Sequence, residues 1–116
     1  MAKLTLEQKL QEMRDRFREG LADRMVEIDT CWEGSCSGDD EARSTLHRLA
    51  HSLAGSGATF GLEEVSRVAK ALEHAIEAAA PGPEIAGDAI VTDGLESLRQ
   101  VISRSAAGEE TVAGEA

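Results

Sequence analysis

Residues 40–61 read DEARSTLHRLAHSLAGSGATFG. Place this stretch on a helical wheel at about 100° per residue, with His51 at zero. Ala42 then falls at about 180°, Leu46 at about 220°, Leu49 at about 160° and Leu53 at about 200°. Four apolar residues on one side make this an amphipathic helix. The stripe is centred almost opposite His51, so the imidazole is predicted to face water. The helix starts near Asp39 or Asp40, whose carboxylates suit the positive end of the helix dipole. It is expected to end near Gly55 to Gly57, with a short link to Gly61. Gly57 or Gly61 fits a C-cap.

Three more segments show helical spacing. The first runs from about Thr5 to Trp32 and opens with a capping box, Thr5 and Gln8. Leu6, Leu10, Met13, Phe17, Leu21, Met25 and Ile28 recur along it at intervals of three and four. Gly20 is the point where this long segment can bend. Residues 34–40, GSCSGDD, read as a loop. The third helix spans about Leu62 to Ala79, with Leu62, Val65, Val68, Leu72, Ala75 and Ala79 on one face. Pro81-Gly82-Pro83 stops it. The fourth spans about Glu84 to Ser103, with Ile85, Ala89, Leu95, Leu98 and Ile102 inward; Gly87 and Gly94 weaken it. No internal repeat and no strand signal is present. The expectation is an all-α, antiparallel four-helix bundle over residues 1–105, with a long first helical segment. Residues 106–116 are small and acidic and read as a disordered tail.

Composition narrows function. Twelve Lys and Arg stand against 22 Asp and Glu, a net charge of −10 over 116 residues. That balance argues against binding nucleic acid, which needs clustered basic residues. It argues equally against an anionic membrane surface. Phe17, Trp32 and Phe60 are the aromatics, and there is no Tyr, so no platform exists for stacking bases. Cys31 and Cys36 are too few for a secreted disulfide scaffold and lack partners for a structural zinc site. They read as reduced thiols. The N-terminal residues MAKLTLEQKLQEMRDRF carry no apolar core of a signal peptide, and no run approaches a membrane span. A cytoplasmic protein is expected.

The informative residues surround His51. Residues three or four away share its face: His47, Arg48, Ala54 and Gly55, with Ser44 two turns back. Gly55 costs a helix roughly 1 kcal/mol relative to alanine. At that position it removes a side chain that would crowd the ring. Ala54, Gly55, Ser56, Gly57 and Ala58 leave a low surface that another protein can approach. A second possibility is a metal, because His47 and His51 stand at i and i+4. However, no carboxylate follows in the metalloprotease pattern, and bundle metal sites are built in the core. No metal ligand is therefore assigned.

From Ala50 to Gly61, AHSLAGSGATFG, the chain resembles the signature of histidine phosphotransfer (HPt) domains, the phosphorelay carriers of two-component systems. Leu62, Val65, Ala69, Leu72 and Glu73 fit the next helix of that family. The resemblance implies that His51 takes a phosphoryl group on Nε2 from a receiver-domain aspartate and returns it to another. It implies a carrier of phosphohistidine rather than an enzyme. It also implies partners: receiver domains and a sensor or hybrid histidine kinase. No cofactor is implied here, since Mg2+ belongs to the receiver. A monomer is expected, because a shuttle docks different partners in turn.

One departure stands out. The family commonly has a lysine three residues after the histidine, and this chain has Ala54. Arg48 and His47 are candidates to supply the missing charge or hydrogen bond, with Gly55 and Ser44 beside them. Arg67 and Lys70 on the next helix are candidates with Ala54 and Ala58 for partner contact. Ala54 also motivates an alternative, a module that docks receivers without carrying phosphate.

Overall fold

The computed structural model describes residues 5–108. Five α-helices follow in order: α1 (Leu6–Glu19), α2 (Leu21–Cys36), α3 (Asp40–Thr59), α4 (Glu63–Ala78) and α5 (Ala89–Ala106). A 3-10 helix, Gly82–Gly87, joins α4 to α5. No strand occurs among the described residues. Helices α2, α3, α4 and α5 form the bundle, and α1 adjoins α2 and α5.

The antiparallel run of α3 and α4 is written in their contacts. Arg43 reaches the carbonyls of Ile76, Ala79 and Ala80, His47 meets Glu77, His51 meets Glu73, and Ser66 meets Ala54. As α3 advances, its partner residues on α4 recede. Arg43 does more than pack. Its guanidinium donates to the carbonyl of Ile76 in the last turn of α4 and to those of Ala79 and Ala80 just beyond it, where helical N–H partners run out. Gly57 is the close-packing point of this pair. A Cβ there would lie 3.0 Å from the backbone nitrogen of Ser66. Gly57 is thus a contact residue inside α3, and Gly61, at φ 75°, is the left-handed residue that follows the helix.

Several helix ends match their sequence signals. Thr5 and Gln8 form the reciprocal capping box of α1. The Asp39 side chain accepts from the backbone N–H groups of Glu41 and Ala42 at the start of α3. Asp88 does the same for Ile90 and Val91 at α5. That cap moves the start of the last α-helix from the expected Glu84 to Ala89, and the Pro83 turn before it becomes 3-10. Consequently Ala89 is exposed, while Ile85, Val91, Leu95, Leu98, Val101 and Ile102 are buried.

The first segment departs most from expectation. It divides into α1 and α2 at Gly20, the expected point of bending, and the departure lies in what α1 buries. Leu6, Leu10 and Met13 are exposed, and only Phe17 of α1 is buried, 5.1 Å from the ring of Phe60. The stripe in α1 is real as a pattern, but no bundle helix lies over its first three residues. The expected loop at residues 34–40 is also shorter, since α2 runs to Cys36. Gly34 is held inside the helix by packing: a Cβ there would stand 2.6 Å from that of Ala42. Ser35, buried, donates to the Cys31 carbonyl and so satisfies its hydroxyl within the helix.

At the other end, α5 includes Ala106, so the first residue of the expected tail is helical. Residues 109–116 of that tail lie outside the described residues. The core is aliphatic, built from Leu21, Ile28, Leu46, Leu53, Leu62, Leu72 and Leu98 with their neighbours. Each such side chain contributes roughly 1.5–3 kcal/mol by leaving water. Those contributions fix the helix faces, and the faces place the polar residues considered next.

Candidate functional site

His51 projects from α3 with its side chain 72% exposed. The wheel explains why it is exposed, and also why it is not isolated. Besides Leu46 and Leu53, the buried face of α3 includes Ala50, Ala54 and Gly57. On the same wheel Ala50 falls at about 260°, Ala54 at about 300° and Gly57 at about 240°. The buried face is therefore broader than the leucine stripe and swings toward α4. His51 sits at its edge, where α4 can reach the ring.

What α4 brings is Glu73. Val65, Ala69, Leu72 and Ile76 bury one face of α4. Glu73 comes one residue after Leu72, four after Ala69 and three before Ile76, so it lies at the margin of that face. Its side chain is nine-tenths buried. A carboxylate so removed from water needs hydrogen-bond partners. It accepts one from His51 Nδ1 at 2.6 Å, and His47 Nε2 lies 3.8 Å away. One turn further, Glu77 accepts from His47 Nε2 at 2.8 Å. Two histidines four apart on α3 thus meet two glutamates four apart on α4.

The pairing sets the chemistry of the ring. An ionised carboxylate only accepts, so the proton of neutral His51 sits on Nδ1. The lone pair is then on Nε2, the nitrogen that faces solvent. Glu73 also favours positive charge on the imidazole, which develops when Nε2 attacks an electrophile. At Glu77 the hydrogen bond from His47 holds the carboxyl below its ordinary value. Limited desolvation opposes this, and the charges of His47, His74 and His51 add to it.

The ring borders an open cleft of about 380 Å³. Ala54, Gly55 and Ala58 line it from α3, and Ser66, Lys70, Glu73 and His74 from α4. A Cβ at Gly55 would meet nothing within 4 Å, the imidazole included. The expected crowding of the ring therefore does not arise from a methyl group there, and Gly55 acts by keeping the wall of the cleft low. Ala54 is buried, and its carbonyl accepts from Ser66 Oγ at 2.7 Å. Where a lysine is common, this chain has a methyl group against the floor of the cleft. The cation in the cleft is Lys70.

The other candidate residues are dispersed. Ser44 and His47 line a neighbouring hollow with Arg43 and Glu77. Arg48 is exposed, and its charge is felt by the Cys31 thiol on α2, away from the Glu73 side of the ring. Arg67 is exposed and is not among the residues lining the cleft. Glu73 and His74 were not picked out as site residues from sequence. Glu73 carried a signal, an acid at the margin of the Val65, Ala69, Leu72 and Ile76 face. His74 carried none beyond its place four residues after Lys70. Among the described residues, His47, Glu73 and Glu77 are a group with donor atoms near enough for a cation, all within 4.8 Å.

No helix among the described residues is long and apolar enough to cross a membrane. No curated protein and no solved structure matches the chain. The family model described as Hpt domain matches residues 7–108, which spans the bundle, His51 and Glu73. The chain belongs to the Hpt domain family and has a phosphotransfer-related role in two-component signalling.

Proposed function

We propose that this chain carries a phosphoryl group on Nε2 of His51 between receiver-domain aspartates. The observation that carries this reading is the 2.6 Å contact of His51 Nδ1 with a buried Glu73, on a ring that is itself exposed. In the forward step the Nε2 lone pair forms a bond to phosphorus. The bond from phosphorus to the aspartyl oxygen breaks, and the receiver keeps its carboxylate. The Nδ1 proton stays on the ring, held by Glu73, and the ring becomes a cationic phosphohistidine. The reverse step returns the group to a second receiver. No proton needs to leave the ring in either direction.

Phosphoryl transfer depends on positioning and charge neutralisation more than on covalent machinery. Lys70, in the cleft with His51, is the residue we assign to the phosphoryl oxygens in place of a lysine at position 54. Ala54, Gly55 and Ala58 keep the surface low enough for a receiver to approach. The chain needs no metal for this step, and Mg2+ belongs to the receiver. Its partners are receiver domains and the histidine kinase upstream of them. A cytoplasmic monomer suits this exchange, since one face must serve several partners.

The test is transfer of label from a phosphorylated receiver with Mg2+. The wild type is expected to take up phosphate that is stable in base and lost in acid, and His51→Gln none. A wild type that binds receivers yet stays unlabelled supports the docking module that Ala54 suggests.

A further inference from the structure

We propose that His47, Glu73 and Glu77 form a zinc-binding site on the seam of α3 and α4, adjoining His51 but not using it as a ligand. His47 Nε2 lies 2.8 Å from Glu77 Oε1 and 3.8 Å from Glu73 Oε2. A tetrahedral zinc ion with bonds of about 2.1 Å holds its ligands roughly 3.4 Å apart. Each of these two separations therefore changes by only about 0.5 Å to accept the ion. All three donor atoms already lie within 4.8 Å of one another. Glu77, whose side chain is half-exposed, is free to close the remaining gap.

Donor chemistry selects the ion. One imidazole and two carboxylates are nitrogen and oxygen donors of the kinds zinc accepts, and three protein ligands leave a fourth tetrahedral position open to water. Mg2+ and Ca2+ prefer oxygen ligands throughout, so the imidazole disfavours them. Charge points the same way. Zinc binding replaces the His47–Glu77 hydrogen bond and moves the His47 proton from Nε2 to Nδ1, which frees the Nε2 lone pair. Two carboxylates with that neutral imidazole carry two negative charges, one of them on a nearly buried residue. A dication neutralises both, in a chain whose net charge of −10 already attracts cations. Glu73 and Glu77 come from α4, so the i and i+4 spacing of His47 and His51 on α3 does not reveal them.

The site and the phosphoryl-accepting ring share one atom. Glu73 Oε2 is the acceptor for His51 Nδ1 at 2.6 Å and is also the Glu73 oxygen that lies 3.8 Å from His47 Nε2. Zinc bound there draws electron density from the carboxylate and weakens its hold on the ring. Loading the site is therefore expected to slow phosphorylation of His51, a consequence that rests on the phosphoryl-carrier reading.

The test titrates zinc into the full chain against a chromophoric chelator, with helicity followed by circular dichroism. Wild type is expected to saturate at one zinc per chain. His47→Ala and Glu77→Gln are each expected to weaken binding by about tenfold or more. His51→Gln, which frees Glu73 Oε2 from a competing hydrogen bond, is expected not to weaken it. Glu77 is exposed, so its variant serves even if His47→Ala does not fold. Unsaturable binding, binding untouched by both substitutions, or binding lost with His51→Gln overturns the site. In parallel, labelling by a small phosphodonor is timed with and without zinc. Slowing in wild type but not in Glu77→Gln supports the coupling, and equal rates with zinc bound overturn it. A chain that binds zinc as described but takes no phosphate contradicts the carrier reading and leaves the zinc site standing.

Discussion

Glu73 Oε2 stands 2.6 Å from His51 Nδ1, across the seam where α3 and α4 pack in opposite directions. The glutamate is nearly buried and the histidine is exposed, so the carboxylate is fixed and the ring is oriented by it. Protein packing thereby decides which nitrogen carries the lone pair.

Glu73→Ala is expected to slow phosphorylation of His51 on the order of 10- to 100-fold, the scale of losing a carboxylate that orients an imidazole. Glu73→Gln retains an accepting oxygen and is expected to recover part of that loss. Nitrogen-15 spectra of the ring separate orientation from simple misfolding. Wild type should show the proton on Nδ1, and Glu73→Ala a shift toward Nε2. A wild-type ring protonated mainly on Nε2 contradicts the account.

Lys70→Ala is expected to reduce transfer from a phosphorylated receiver more than Arg48→Ala does. Lys70 lines the cleft with His51, whereas Arg48 sits toward Cys31. Initial rates at fixed ionic strength give the comparison. A larger defect in Arg48→Ala would move the assisting charge to α3 itself.

The Cys31 thiol reports on Arg48 independently, with Cys36 as its internal control. Burial, then the charge of Glu27, pushes the Cys31 thiol above its ordinary value, and Arg48 lowers it. Burial and Glu33 raise Cys36. The thiolate is the reactive form. A raised value means less thiolate at neutral pH, so alkylation should be slower than for free cysteine and keep rising above about pH 9. Arg48→Ala removes the lowering influence and should slow Cys31 further while leaving Cys36 unchanged. Peptide mapping of the alkylated sites resolves the two.

Two glycines two residues apart should behave oppositely. Gly57→Ala places a methyl group 3.0 Å from backbone at Ser66, so α3 and α4 must separate. Urea unfolding should show a loss of about 1–3 kcal/mol. Gly55→Ala meets nothing within 4 Å and should raise stability by up to about 1 kcal/mol through helix propensity. Its methyl group stands in the cleft, so uptake of phosphate from a receiver should slow. Equal stability of the two variants would contradict the packing described here.

Local signals were legible and long-range ones were not. Thr5 with Gln8 is a capping pattern that acts within one turn and is found as expected, and α3 starts at Asp40 where the acidic pair placed it, with Asp39 as its cap. The outward direction of His51 followed from Leu46 and Leu53 on its own helix. Gly34 illustrates the opposite case. Composition reads it as a loop residue, but its place is decided by Ala42 on another helix. Leu6, Leu10 and Met13 repeat at helical spacing, and periodicity cannot tell whether a neighbour covers them. At the site, His51 was legible because its motif is contiguous. Glu73 acts on it from 22 residues away, through an antiparallel pairing whose register only packing sets. The same register explains why Lys70 joins the cleft and Arg67 does not.

The most direct test of the central claim is phosphorus and nitrogen NMR of the chain after phosphorylation by a receiver. The account predicts one phosphoryl group, bonded to Nε2 of His51, with the Nδ1 proton retained and protected by Glu73. A phosphoryl group on Nδ1 of His51, on His47 or on His74, or no phosphohistidine while receivers still bind, would contradict it.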